Sequence, residues 1–174
     1  LVKFAVKEYE RTYFVAWTTT PWTLPANMAL CVNPDLNYSF LQDPHGDTLI
    51  VAEARQSFLP GATLKGKKDV LSSDWKLLKV IKGAELSGVR YLPIFDCYQD
   101  TYGDSAFAVC CDMYVASDSG TGVVHQAPAY GEDDYRVCIE NGIINKGQEL
   151  PDPVDPNGCF TREAPSFVAG IYIK

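Results

Sequence analysis

The residues equipped to do chemistry fall in two stretches. One is Thr18-Thr19-Thr20-Pro21-Trp22-Thr23-Leu24-Pro25-Ala26-Asn27, three adjacent hydroxyls followed closely by two prolines. The other is Gly120-Thr121-Gly122-Val123-Val124-His125-Gln126-Ala127-Pro128, which carries one of only two histidines into a turn and then runs through Tyr130 and Gly131 into Glu132, Asp133 and Asp134. Brought into one cleft, these stretches would supply threonine hydroxyls, an imidazole and at least one carboxylate. No nucleophile pair is evident: Ser117 and Ser119 lie near His125, but there is no G-x-S-x-G elbow and no cysteine flanks the histidine. A metal centre would need further histidines or convergent carboxylates, so the reading includes neither metal nor cofactor. What remains is hydrolysis by a positioned water, with hydroxyls as hydrogen-bond donors and a carboxylate holding a cation on the substrate. A plainer reading stands beside it. The three acids fall in the first turn of an expected helix, where they would cap free N–H groups and favour its dipole, and His125 would be a satisfied core residue. The second histidine, His45, reads as an exposed member of the turn Asp43-Pro44-His45-Gly46-Asp47.

Strands must position these groups. Residues 1–6 and 12–18 are β-branched and aromatic runs around a charged turn, which predicts a hairpin. The second run is apolar on both faces and is expected in the middle of a sheet. Pro21 and Pro25 prevent it from continuing, so residues 18–27 should form a rigid, hydroxyl-lined loop. Further strands are expected at 28–32, at 38–42 paired with 48–51, and at 107–115. Residues 52–59 have helical composition and end at Pro60-Gly61. A second short helix is expected over 132–140, because Tyr135, Cys138 and Ile139 recur at helical spacing and Asn141-Gly142 supplies a stop. Residues 64–91 alternate lysines with aliphatics and suit solvent-facing strands and loops, and three prolines make 151–158 an extended, turn-rich return. No repeat or linker interrupts the chain. The fold class expected is therefore mostly β (α+β): one barrel-like domain over residues 1–174 with a few short peripheral helices.

Composition removes several function classes. At 174 residues the chain can bury a sizeable core without staples. Its 22 acidic and 15 basic side chains leave a net charge of −7 with no long basic stripe, which argues against tight autonomous binding of nucleic acid. The densest basic patch, Lys65-Gly66-Lys67-Lys68, reads as a solvated loop. Six cysteines sit in apolar surroundings without C-x-x-C spacing, which disfavours both a zinc site and a disulfide scaffold and suits a reducing compartment. No apolar run approaches the ~18 residues of a membrane span, and nothing in the sequence resembles a signal peptide. Both ends of the chain run straight out of expected strands, so it reads as a piece of a longer polypeptide.

The two stretches carry a resemblance. Trp17-Thr18-Thr19-Thr20-Pro21-Trp22-Thr23-Leu24-Pro25-Ala26-Asn27 and Gly120-Thr121-Gly122-Val123-Val124-His125-Gln126-Ala127-Pro128, followed by residues 131–135, are similar to the two signature regions of the editing insertion, connective peptide 1, of class I isoleucyl-tRNA synthetases, in particular eukaryotic cytosolic forms. The likeness covers nearly the whole chain. In the related valyl and leucyl enzymes the threonine run is typically followed by Arg rather than Pro21-Trp22, and the position of His125 is typically Lys or Met. The resemblance implies a β-rich domain that hydrolyses valine wrongly esterified to the 3′ end of tRNA(Ile), works beside the rest of a parent synthetase in the cytoplasm, and is monomeric in isolation. It implies that Asp134 holds the substrate α-ammonium, while Glu132 and Asp133 match positions where the family varies. It also implies that Thr18, Thr19 and Thr20 surround the ester and terminal ribose, that Trp17, Pro21 and Trp22 border them, and that His125, with Gly122, Ala127 and Tyr130, shapes the side-chain pocket. The family's H-I-G-H and K-M-S-K-S motifs do not occur, so no aminoacyl-adenylate, and no ATP chemistry, is expected of this chain.

Such a site has an independent reason to exist. A hydrophobic pocket gains only about 1–3 kcal/mol from one methylene, for which isoleucine against valine is the standing example, so a second and smaller sieve is needed. Rival readings remain at this point: the editing domain of a related valyl or leucyl synthetase, a free-standing deacylase acting in trans, and a non-catalytic binding module.

Overall fold

Side chains on successive strand residues point to opposite faces, and in the central strands of this chain both faces are apolar. The computed structural model describes residues 1–174, the side chain of Asp69 excepted. Strands β1 (Val2–Ala5) and β2 (Thr12–Ala16) form the expected antiparallel hairpin, with Phe4 opposite Phe14. β3 (Ala29–Val32) follows, then β4 (Asn37–Gln42) paired antiparallel with β5 (Thr48–Ala52) around the turn that holds exposed His45. β6 (Thr63–Leu64) and β7 (Lys67–Leu71) make a small ribbon, and β8 (Lys76–Lys82) joins the edge of β4. After the single turn α1 (Gln99–Tyr102) come β9 (Ala108–Cys111), β10 (Val123–Gln126) and α2 (Glu132–Glu140).

The strands assemble into a five-stranded sheet in the order β1-β2-β5-β4-β8 and a three-stranded sheet in the order β10-β3-β9. Two pairings are parallel, β2 with β5 and β3 with β9. Phe14, Ala16, Phe40, Ile50 and Ala52 enter the main core with all of β3, whereas Val15, Leu41, Leu49 and Val51 face a second, smaller core with Leu59, Ala62 and Trp75. That division explains why β2 and β5 read as continuous apolar runs: each has a core on both sides.

The mostly β expectation with a few short helices holds, and the barrel-like arrangement does not close: β8 and β10 each pair on one side only among the described residues. Residues 53–58 form a 3₁₀ rather than an α-helix. The strand expected over 107–115 ends at Cys111, because the Asp112 carboxylate accepts the Tyr114 N–H at 2.8 Å and turns the chain. The predicted helix at 132–140 is present over those residues. Its N-cap is Gly131 and no side chain caps it, so the acids of its first turn are available for other contacts. Among the described residues no helix is long and apolar enough to cross a membrane.

Candidate functional site

β2 and β10 lie against each other and deliver the two sequence stretches to one place. Between them is a cavity of about 230 Å³. Trp17, Thr18, Thr19, Thr20 and Thr23 line one side, Val124, His125, Ala127 and Tyr130 the other, and the Asp134 carboxyl completes it. Pro21 cannot extend β2, so the chain instead enters a 3₁₀ turn over Pro21–Ala26, where the missing proline N–H at the first position costs nothing. The hydroxyls are tied to one another: the Thr20 N–H donates to Thr18 Oγ1 at 3.0 Å, and the Thr18 and Thr20 hydroxyls lie 3.4 Å apart. Thr19 and Thr20 are exposed to solvent from this loop.

Asp134 and Asp133 are adjacent in sequence and differ in environment. One Asp134 oxygen accepts the Ala127 N–H at 2.9 Å, and Gly131 passes so close that a Cβ there would come within 2.9 Å of the carboxyl carbon. None of the ion pairs among the described residues involves Asp134. Burial raises its pKa above the ordinary carboxylate value, the nearby Asp133 adds to the rise, and the Ala127 N–H opposes it. A cation arriving in the cavity would favour the ionised form, so binding at a pH below the folded pKa releases a proton. Asp133 instead points outward, 59% exposed, and pairs with Arg136 at 3.2 Å. Arg136 also grips Asp112 with two nitrogens, at 2.7 and 3.2 Å. A larger hollow of about 670 Å³ runs along this outer side of α2 past Asp133, Tyr135 and Arg136, and two of its carboxylates, Asp133 and Glu140, are already partnered by that guanidinium.

His125 is 8% exposed and held at both nitrogens, with Nε2 2.9 Å from Thr23 Oγ1 and Nδ1 3.4 Å from Asn27 Nδ2. Burial lowers its pKa from 6.5 to about 4, so it is neutral at physiological pH. The unfolded chain protonates this ring below pH 6.5 while the native state resists until about 4. Its contribution to stability is therefore complete above pH 6.5, is lost as pH falls through the interval, and amounts to about 3 kcal/mol. The raised pKa of Asp134 acts in the opposite direction, which makes a paired comparison the cleaner measurement. Denaturation midpoints of the wild type and His125→Gln at steps between pH 7 and 4 should diverge, the wild type losing more; parallel profiles would contradict the assignment.

Of the residues singled out from sequence, the cavity gathers Trp17, Thr18, Thr19, Thr20, His125, Ala127, Tyr130 and Asp134. Trp22 stands behind it, edge-on to Tyr130 with ring centroids 5.0 Å apart, and Pro21 is exposed at the start of the turn. Gly122 is structural in setting: at φ +77°, a Cβ would fall 2.3 Å from that of Ala52, so glycine lets β10 approach the end of β5. Thr23, Val124 and Asn27 lie inside the two stretches, but the sequence alone assigned them no role. A signal for Thr23 existed, since a 3₁₀ turn repeats every three residues and stacks Thr23 on Thr20, whose carbonyl accepts the Thr23 hydroxyl at 2.9 Å.

No protein-family model matches the chain. Among curated proteins it is 47% identical over 174 residues to the cytoplasmic isoleucine–tRNA ligase of Mus musculus, covering 99% of this chain and 13% of that protein. The corresponding ligase of Saccharomyces cerevisiae is 41% identical, with 99% of this chain and 16% of that protein covered, and that of Arabidopsis thaliana is 43% identical, with 97% and 16% covered. The chain thus spans roughly a seventh of the length of the relatives it matches. Among solved structures, the crystal structure of GlLeuRS-CP1 aligns with a TM-score of 0.58 at 17% identity, covering 84% of this chain and 58% of that one. The P. knowlesi cytosolic leucyl-tRNA synthetase editing domain aligns at 0.54 and 17%, covering 78% and 58%. The chain is accordingly a homologue, over its whole length, of one segment of the isoleucyl-tRNA synthetases, with the fold of a synthetase editing (CP1) domain.

Proposed function

We propose that this domain deacylates valyl-tRNA(Ile) and spares isoleucyl-tRNA(Ile). The observation that carries the reading is a cavity in which an unpaired, half-buried carboxylate, Asp134, faces a row of threonine hydroxyls. The charge on an esterified amino acid is its α-ammonium, and Asp134 would bind it. With that group anchored, the ester carbonyl falls toward Thr18, Thr19 and Thr20, whose hydroxyls and backbone N–H groups orient water and meet the developing oxyanion. No strong base is required, because an aminoacyl ester is an activated acyl group and positioning supplies much of the rate. His125 and Thr23 bound the space for the side chain, and their rigidity decides whether one extra methylene enters. The partners in this reading are the tRNA(Ile) 3′ end and the remainder of a parent synthetase, with the domain itself monomeric and placed in the cytoplasm, a placement that the cytoplasmic ligases among its relatives support.

Competing readings as a free-standing deacylase, or as an editing domain of valyl or leucyl type, differ in the tRNA and the ester they would act on. Deacylation of valyl- and isoleucyl-tRNA(Ile) should accordingly show loss of the valyl ester well above its spontaneous rate and little loss of the isoleucyl ester. Thr20→Arg provides the internal control. Thr20 is an exposed loop residue, so the fold should persist, while a long cation in the cavity would occupy the place of the substrate ammonium beside Asp134. The variant should fall to the spontaneous rate. Valyl-ester hydrolysis at the wild-type rate in Thr20→Arg, or in neither protein, would refute the proposal.

A further inference from the structure

Tyr91 lies outside the cavity, yet its one polar atom is the start of a chain of hydrogen bonds that ends on the cavity wall. Its ring is 2% exposed and clamped edge-on between Phe4 and Phe107, with centroids 5.4 and 6.1 Å away. The hydroxyl donates to Asn27 Oδ1 at 2.6 Å, and Asn27 Nδ2 faces the Ala29 carbonyl at 2.9 Å and His125 Nδ1 at 3.4 Å. These contacts admit a single assignment. The Ala29 carbonyl can only accept, so the atom facing it is the amide nitrogen, and Oδ1 is left for the Tyr91 hydroxyl. An amide nitrogen can only donate, so His125 Nδ1 must be the bare nitrogen and Nε2 must carry the proton. Nε2–H then donates to Thr23 Oγ1, and the Thr23 hydroxyl proton goes on to the Thr20 carbonyl. Donors and acceptors alternate without a break from Tyr91 to the threonine loop.

We infer that Tyr91 is a positioning residue: acting through Asn27, it holds His125 in the Nε2–H tautomer and in one ring orientation. Its link to editing rests on the function proposed above. The consequence is chemical as well as mechanical. With both ring nitrogens engaged inside the protein, the imidazole presents a wall to the cavity and is not free to take a proton from water. The link between Asn27 and the ring is the longest of the series and depends most on the amide being held from its far side. Removing the Tyr91 hydroxyl leaves Asn27 Oδ1 buried without a partner, since Asn27 is 5% exposed, and the amide is then anchored only at Ala29.

The test is nitrogen NMR of the His125 ring in this chain, read beside ester hydrolysis. Wild type should give a bare Nδ1 and a protonated Nε2. Tyr91→Phe keeps the ring and its aromatic contacts, so it should fold, but the two nitrogen signals should move toward each other as tautomers average, and the valyl-to-isoleucyl rate ratio should fall about tenfold. Phe4→Leu loosens the same ring while keeping the hydroxyl and should leave the His125 signals unchanged, which separates positioning from general destabilisation. Wild-type His125 signals in Tyr91→Phe, or a shift of equal size in Phe4→Leu, would overturn the inference. Should wild type hydrolyse neither ester, the editing reading falls, and the nitrogen signals alone still decide the role of Tyr91.

Discussion

Asp134→Asn should lose valyl-ester hydrolysis by about 30-fold to several thousand-fold, the range corresponding to roughly 2–5 kcal/mol for removing one member of a desolvated charge pair. The amide can still accept the Ala127 N–H that the carboxylate accepts at 2.9 Å, so the turn between β10 and α2 should persist and only the charge is removed. Asp133→Ala, one residue away, should retain nearly full activity. That carboxylate is 59% exposed, and Arg136 keeps its two-pronged contact with Asp112 when Asp133 is truncated, so the change should stay within about 0.5 kcal/mol in stability. Single-turnover deacylation of valyl-tRNA(Ile) with all three proteins, alongside their denaturation midpoints, makes the comparison. Equal activity in Asp134→Asn and wild type would remove the ammonium from the mechanism, and equal loss in both variants would reduce the acids to a general electrostatic effect on α2.

His125→Ala should change selectivity more than rate. A wall excludes by volume, and this ring, buried between Thr23 and Asn27, bounds the space proposed for the side chain. Its removal should admit isoleucine, raising isoleucyl-ester hydrolysis toward the valyl rate, while valyl-ester hydrolysis falls modestly as Thr23 loses its partner. A general base would behave otherwise, depressing both reactions together by ~100-fold or more. A pKa near 4 and two nitrogens already engaged are poor properties for such a base. The decisive quantity is the ratio of the two rates: a ratio unchanged while both rates collapse would transfer His125 from the wall to the chemistry.

Much of this molecule was legible from local chemistry. Pro21 and Pro25 announced that β2 cannot run on past the threonine stretch, and it stops just before it at Ala16; the recurrence of Tyr135, Cys138 and Ile139 announced α2 with its bounds, and the Asp43 to Asp47 turn disposed of His45. Each rests on backbone geometry or side-chain period, which act over a few residues. The barrel-like arrangement stops short of closure because closure depends on whether edge strands meet: isolated bridges through residues 90 and 91 link the end of β1 to β9, while β8 pairs only with β4 among the described residues. The parallel pairings of β2 with β5 and β3 with β9 were equally out of reach, since adjacent strands in sequence are not thereby neighbours in space.

The sequence by itself determined the inventory of the site: three hydroxyls on a proline-stiffened loop, one histidine at the end of an apolar strand, and a carboxylate cluster opening a helix. Composition and helical period did not distinguish the three carboxylates, the resemblance implied Asp134, and tertiary structure is what places Asp134 at the cavity. Successive helical residues point about 100° apart, so Glu132, Asp133 and Asp134 are equivalent in composition, and the packing of α2 on the main core through buried Val137 and Cys138 sets which one meets the Ala127 N–H. The same holds for Tyr91, 64 residues from Asn27, and for Thr23, 102 residues from His125. Hydrogen bonds between such distant positions carry no local signature, because they exist only once the burial of both sheets has excluded the water that would otherwise satisfy each group alone.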